Sequence, residues 1–496
     1  MTDNKNRGGH AARTVGLLTV IPAILQLGLG ACAVGPPDGV LAGAAAVDIT
    51  PLQWPLPMIG SFRYRPAESA HDPLHARAVA LRSGDSTVAI AVVDSCYIPR
   101  ETVDRAKKRV AEDTGLDASR ILVAATHTHS APPSAPGAGL RGMGGEPDLQ
   151  RETAYVDRLV EGIATAIADS LSRLEPAEVG WATTALPDEV FNRRWFMAEG
   201  SIPPDPFGGT TDKVRMNPGF ENPGLVRPAG AVDPEVAVLS VRSATGRPIA
   251  LLTNYSLHYV GGIPAGQVSA DYFGEFARLI EDRIGQEDGF VAILSNGTSA
   301  DVNNLNFAQP RARREPFEQI LLVASKLADA VTEACKDLEH QRQVDVAMEE
   351  SELQLARRKP SPELLDRSLG LLSDPPADAT VRQRVYAQRA VDLHRGPESV
   401  SVVLQSIRIG PVGIAALPFE TFTETGLAIK QLSPLKPTFT ISLANGAEGY
   451  LPTPEQHELG GYETWLGTSR VEQQSSVQIQ SELLSLLGSV SSGGAR

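Results

Sequence analysis

The hydrophobic pattern of the chain switches repeatedly between a two-residue and a 3.6-residue period, as expected for strands alternating with helices. LHARAVALRSG and STVAIAVVDSCYI read as two strands joined by the turn cluster Ser83-Gly84-Asp85-Ser86, and RETVDRAKKRVAEDTG as an amphipathic helix closed by Gly115. ILVAATHTHS is again an apolar strand, running straight into polar residues. Strand, helix, strand in this order argues for α/β architecture with functional groups at the C-terminal ends of strands. A Gly/Pro-rich loop (APPSAPGAGLRGMGGEP) follows, then a helix near 151–173 and a strand near 176–184.

Residues 196–231 are rich in Pro and Gly with little periodicity and are expected to form a long loop. PEVAVLSVRS, PIALLTNYSLH and FVAILSNG resume the strand pattern, with helices over YFGEFARLIEDRIG and 315–338. The charged stretch 353–395, interrupted by Pro360, Pro375 and Pro376, reads as a solvated helical excursion. Strands return at SVVLQSIRIG, VGIAALP and TFTISLAN, and the tail SLLGSVSSGGAR is expected to fray. No internal repeat is apparent by eye.

The 496 residues, with 45 Gly and 37 Pro and only 5% aromatics, suit a loop-rich enzyme. A chain this long needs no metal staple, so a metal held by it would be functional. The net charge of −14 and the lack of a basic stripe argue against a nucleic-acid partner. Cys96 and Cys335 are read as small core residues. The third cysteine, Cys32, closes an N-terminal apolar run (LLTVIPAILQLGLGA) that follows Lys5, Arg7 and Arg13. The run has the length of a signal h-region, so the protein is expected to be exported. It is then either a lipoprotein anchored to a membrane through acylated Cys32 or a secreted or periplasmic protein.

Of the 9 histidines, His127, His129 and His258 fall where strands end. Placed two apart on a strand, His127 and His129 would face the same way. Asp94, Asp301 and Glu420 also follow apolar strands. His127, His258 and Glu420 could hold a zinc ion with a position left for water, but the pattern has no HExxH, and histidines that merely bond strand-end backbone would look the same. His71 and His75 form an HxxxH that Pro73 removes from any helix, and His457 lies in a polar loop; neither is read as a ligand.

GAAAVDITP, HDPLHARAVAL, VVDS, ATHTHSAP, NYSLHY, LSNGTSADVN, LPFETFTETG and LANGAEGYLPTPEQHELGGYE occur in one order over roughly residues 43–470. Together they resemble the neutral/alkaline ceramidase family, zinc amidases that hydrolyse N-acylsphingosines. The resemblance implies a large mixed-sheet α/β zinc hydrolase domain over 40–490, following residues 1–36 read as signal and linker; the C-terminal β-sandwich that ceramidases carry is not expected here. It implies Zn²⁺ on His127, His258, Glu420 and Tyr450, with His129 and Tyr462 contacting the reacting carbonyl or its oxyanion. Arg193, or its neighbour Arg194, would line the pocket, while Asp94 and Asp271, in matching blocks, would either support the site from behind or be architectural. The substrate would be a small-molecule or lipid amide.

One departure bears on activity. Where ceramidases carry a serine, the run Ala300-Asp301-Val302-Asn303 places Asn303, whose amide can donate a hydrogen bond but cannot act as a nucleophile. The alternatives are therefore a zinc hydrolase acting on a different amide or ester, or a non-catalytic binding relative.

Overall fold

Three copies of one supersecondary unit, strand–strand–strand–helix–strand–helix, build the molecule. The computed structural model describes residues 39–60, 64–138, 148–285 and 289–492. The expected signal segment and Cys32 lie outside the described residues. The first unit comprises β1 (Leu41–Asp48), β2 (His75–Ser83), β3 (Ser86–Val93), α1 (Arg100–Thr114), β4 (Ile121–Ala125) and α2 (Leu149–Ser172). The second comprises β5 (Glu175–Ala185), β6 (Glu235–Ser243), β7 (Pro248–Tyr255), α3 (Asp271–Ile284), β8 (Val291–Asn296) and α4 (Glu318–Cys335). The third opens with β9 (Val346–Ala356) and the helices α5 (Pro362–Ser373) and α6 (Val381–Arg395). It continues through β10 (Ser399–Ile409), β11 (Val412–Ala416), α7 (Thr423–Leu432), β12 (Thr438–Ile441), α8 (Pro454–Leu459) and α9 (Ser475–Ser492).

In every unit the first three strands are antiparallel neighbours and the fourth joins the third in parallel across a helix. A parallel neighbour needs a crossover, and the helix supplies it. Units one and two fuse through β1 and β5 into an eight-stranded sheet of order β8-β7-β6-β5-β1-β2-β3-β4, while unit three forms a four-stranded sheet of order β9-β10-β11-β12. The expected mixed-sheet α/β class is what the chain adopts. The repeat, invisible by eye, lies in the topology because inserts of different length, residues 49–74, 186–234 and 357–398, separate the first and second strands of the three units.

The layers run helix, sheet, sheet, helix. Val79, Leu81, Ile90, Leu239 and Ile293 on one face of the large sheet meet Met348, Ile407, Ile414 and Phe439 of the small one. The other face of the large sheet is covered by α1 and α2 at one end, through Val103, Val110, Leu159 and Ile163, and by α3 and α4 at the other, through Phe273, Phe276, Val323 and Leu327. The small sheet rests on α7 and α9 through Ile429, Ile479, Leu483 and Leu487. Asp38–Arg496 forms one compact unit. Among the described residues no helix is long and apolar enough to cross a membrane.

Three expectations are corrected. The stretch 196–231 contributes to a small sheet of Arg194–Met197, Val214–Met216 and Leu225–Pro228. β9 begins before the charged excursion and takes its first residues; its run Glu349-Glu350-Ser351-Glu352 hides the strand because Glu350 and Glu352 are engaged by Gln405 and Arg100. Within the excursion, α6 buries Val385, Tyr386, Ala390 and Val391, and is therefore not a solvated helix. The tail is helical to Ser492, since Leu483, Leu486, Leu487 and Val490 share a face and each gains about 1.5–3 kcal/mol from burial.

Two helical glycines test this packing in opposite senses. A Cβ on Gly162 of α2 would lie 2.3 Å from Ile49 Cγ2, whereas one on Gly370 of α5 would meet nothing within 4 Å. By urea denaturation, Gly162→Ala should cost about 1–2 kcal/mol, while Gly370→Ala should gain about 0.5–1 kcal/mol. Equal shifts would contradict the packing of α2 on the first unit.

Candidate metal centre

The loops after the third and fourth strands of all three units converge. The first unit places His127 after β4, the second places His258 after β7, and the third places Glu420 after β11. Glu420-Thr421 forms a two-residue parallel ladder with Tyr450-Leu451, which sets Glu420 opposite Tyr450. Backbone bonds tie the three loops together: Ser442 N–H donates to Asn296 O, Ala125 N–H to Leu443 O and Asn445 N–H to Val123 O.

β4 ends at Ala125, and His127 adopts a left-handed φ of 77°, a conformation that costs a non-glycine residue about 1–3 kcal/mol. His127 and His129 are therefore not alternate positions of a strand, as the sequence suggests. The turned backbone instead brings their rings edge to face, with centroids 4.7 Å apart. The turn is held by Thr126 N–H on Val93 O and His127 N–H on Ser95 O, both at 2.9 Å.

The protonation pattern follows from the outer ring nitrogens. His127 Nδ1–H donates to Cys96 O at 2.7 Å, and His258 Nδ1–H to Ser299 O at 3.1 Å. Each Nε2 is thereby left with a lone pair. Those two Nε2 atoms lie 2.9 Å apart, and Glu420 Oε2 lies 3.3 Å from one and 3.9 Å from the other. Glu420 Oε2 is buried without a hydrogen-bond partner among the described residues. Lone pairs so crowded repel unless positive charge sits between them.

The titration behaviour expresses the same demand. Burial disfavours a cation on His127, but the Glu420 carboxylate beside it outweighs this and holds the imidazole up at about 10. His258 and His129 are pushed well below the ordinary histidine value, first by burial and then by the charge on His127. Burial would raise Glu420, yet His127, Tyr450 and Arg193 keep its carboxyl below the usual range. The cluster thus concentrates one positive charge at its centre. A proton can bridge only two of these atoms, whereas a metal ion accepts lone pairs from all of them. Two imidazole nitrogens and a carboxylate oxygen, mutually within 4.8 Å, are a donor set that zinc favours. The thiol of Cys96 with His127 and His129 forms a second set of atoms within the same spacing.

The remaining candidates fall around this cluster. Tyr450 is hydrogen-bonded to Glu420, and Arg193 Nη2 donates to its hydroxyl at 3.1 Å. Arg193 Nη1 lies 3.4 Å from His258 Nε2. Arg193 and Arg194 both pair with buried Glu463, at 3.1 and 2.6 Å, but Arg194 turns away to Gly460 O and stacks on Phe422. Arg193 therefore faces the cluster and Arg194 anchors the loop behind it. Tyr462 packs edge to face on Tyr450 with centroids 5.6 Å apart. His129 stacks on Tyr259, and its Nδ1–H donates to Gly60 O at 3.1 Å.

Asn303 donates to Asn217 Oδ1 of the second unit's insert and accepts from Leu305 N–H. Among the described residues none of its hydrogen bonds goes to the cluster. Asp301 accepts from Asn192 and from Thr423, Asp94 pairs with Arg77 at 2.6 Å, and Asp271 accepts from Val260 and Gly261 N–H; all three are architectural. His71 stacks on Phe317, and His75 sits by Arg77. His457 is half-buried on α8 rather than solvated, and burial, with Arg358 and Arg194 nearby, pushes it down to about 3.

A cavity of about 510 Å³ opens on His127, His129, Glu420, Tyr450 and Tyr462. Its outer wall is α6, an element the sequence pattern assigned to solvent. Cys96, assigned to the core, also reaches this cavity, with Sγ 3.8 Å from His127 Nδ1. Its position after β3, beside Asp94 and opposite the THTH turn, was the one available signal.

Neutral ceramidase from Pseudomonas aeruginosa has a similar structure, with a TM-score of 0.68 at 18% identity over 91% of this chain and 74% of that chain. A ceramidase complexed with C2 gives 0.67 at 17% identity over 91% and 75%. No protein-family model and no curated protein sequence matches the chain. The chain therefore has the neutral ceramidase fold.

The Arg193–Glu463–Arg194 triad should be costly to break. Glu463→Gln would leave two buried guanidinium groups short of one charge, and unfolding free energy should fall by about 3–5 kcal/mol in urea titrations. A loss below about 1 kcal/mol would show that the triad does not hold Arg193 in place.

Proposed function

We propose that the protein is a zinc-dependent hydrolase that cleaves an amide bond of an N-acylated substrate. The observation that carries this reading is the buried Glu420 Oε2, without a hydrogen-bond partner among the described residues, facing two imidazole nitrogens at 3.3 and 3.9 Å at the floor of a cavity. The fold shared with neutral ceramidases supports it. His127, His258 and Glu420 would hold the ion, with Tyr450 beside Glu420. Bound zinc would supply Lewis-acid polarisation of the scissile carbonyl and lower the pKa of a water in its open position to about 7.

The chain's own groups do the rest. His129 spends Nδ1–H on Gly60 O and is held neutral by burial and by His127, so its Nε2 presents a lone pair 3.2 Å from His127 Nε2. That atom accepts the proton released by the attacking water and returns it to the leaving amine. This refines the carbonyl contact expected for His129: a neutral ring so oriented takes a proton rather than donating one. Burial keeps the Tyr462 hydroxyl protonated, so it can donate to oxygen charge developing in the transition state. Arg193, fixed by Glu463, places a permanent positive charge behind Tyr450 and Glu420. Asn303 has no part in this chemistry.

Hydrolysis of a panel of N-acyl substrates, N-acylsphingosines included, tests the reading. A chelator should abolish turnover and added zinc restore it, and Glu420→Gln or His258→Ala should lower kcat by about 10³-fold or more. Turnover that survives chelation would contradict it. Gly60→Ala is a finer probe, since its Cβ would lie 2.4 Å from His129 Nδ1. Gly60 is exposed, so the variant should fold with a loss of about 1–2 kcal/mol while kcat falls about 10- to 100-fold.

A further inference from the structure

The wall of the cavity carries a group of cations that the hydrolytic chemistry does not use. α6 presents Val385, Gln388, Arg389 and Asp392 along one face, and the opposite side brings Arg357 and Arg470. One glycine makes room here: a Cβ on Gly467, whose φ is 92°, would lie 2.7 Å from Arg389 Cβ, while Arg470 Nε packs at ordinary contact distance, 3.5 Å, from where a Gly449 Cβ would stand. Gly449 directly precedes Tyr450, so Arg470 stands one residue from the proposed metal shell.

Of these guanidinium groups, Arg470 feels the Glu448 carboxylate only at a distance. Arg357 pairs with Glu448 at 2.7 Å, and the carboxylate of Asp392 accepts from Gln388 of its own helix at 2.8 Å. Arg470 has no hydrogen-bond or ion-pair partner for its guanidinium among the described residues. Burial, and after it the neighbouring charge of Arg389, works against its protonation. A neutral substrate filling this space would strip the remaining water from Arg470 and leave the cation unpaired, which costs free energy. An anion there would instead make charge-assisted, fork-shaped contacts with guanidinium groups.

We propose that the substrate carries an anionic group, a carboxylate or a phosphate ester, seated against Arg470 and Arg389 while its amide lies over His127 and Glu420. This rests on the amidase reading above and narrows it: the preferred N-acyl compound bears its negative charge near the scissile amide, unlike an uncharged N-acyl amino alcohol.

The experiment compares three compounds of equal acyl length: N-decanoylglycine, N-decanoylethanolamine phosphate and uncharged N-decanoylethanolamine. Wild-type enzyme should show a kcat/KM about 10- to 100-fold higher for at least one anionic compound, and which one identifies the group recognised. Arg470→Gln and Arg389→Gln should each bring the anionic-to-neutral ratio towards one, with Arg470→Lys retaining part of it. A second readout is thermal protection by decanoate of the full chain stripped of metal, expected for wild type and reduced in both glutamine variants. Hydrolysis with no anionic preference in wild type, or with a ratio indifferent to both arginines, overturns the anion site and leaves the amidase reading standing. No hydrolysis of any compound, with arginine-dependent protection by decanoate, overturns the amidase reading and leaves the anion site standing.

Discussion

The structure is organised around one electrostatic constraint: ring nitrogens of His127 and His258 and an oxygen of Glu420, without a hydrogen-bond partner among the described residues, are buried against one another and require a positive charge between them. Each donor comes from a different repeat unit, so the arrangement exists only when all three are folded and docked. The left-handed backbone of His127 and the crossed loops after β4 and β12 are the local cost of that convergence. Packing of the two sheets offsets it, since the strands that deliver the donors are the same strands that interdigitate in the central core.

The repeat also explains where the rest of the site comes from. The insert between the first and second strands occurs in all three units, and each copy reaches the cavity or the cluster. Gly60 and Arg65 of the first insert hold His129, through Gly60 O and through Arg65 donating to the His129 carbonyl. Arg193 of the second faces Tyr450 and His258. α6 of the third forms the outer wall. In the proposed hydrolase, the inner groups would serve the reacting centre and the inserts would choose what may approach it.

What the sequence made legible follows from locality. Strand–helix alternation and the placing of His127, His258 and Glu420 after apolar strands are written within short windows and agree with the elements observed. The geometry that unites His127 with His129 was not, because it depends on a turn at φ 77° that only long-range backbone bonds impose. β9 and α6 were masked by charge: Glu350 and Glu352 find partners far along the chain, and α6 buries Val385, Tyr386, Ala390 and Val391 among its charged residues. Asn303 stood out as a replaced serine, yet its amide is satisfied by Asn217 and Leu305, a fact no spacing could reveal.

The central claim is that His127, His258 and Glu420 hold a metal ion, and X-ray absorption at the zinc edge tests it most directly. Purified protein should contain zinc bound by nitrogen and oxygen at about 2.0–2.2 Å, with imidazole scattering and no sulfur. A sulfur shell near 2.3 Å would place the ion on Cys96 instead, and protein that takes up no zinc would contradict the account outright.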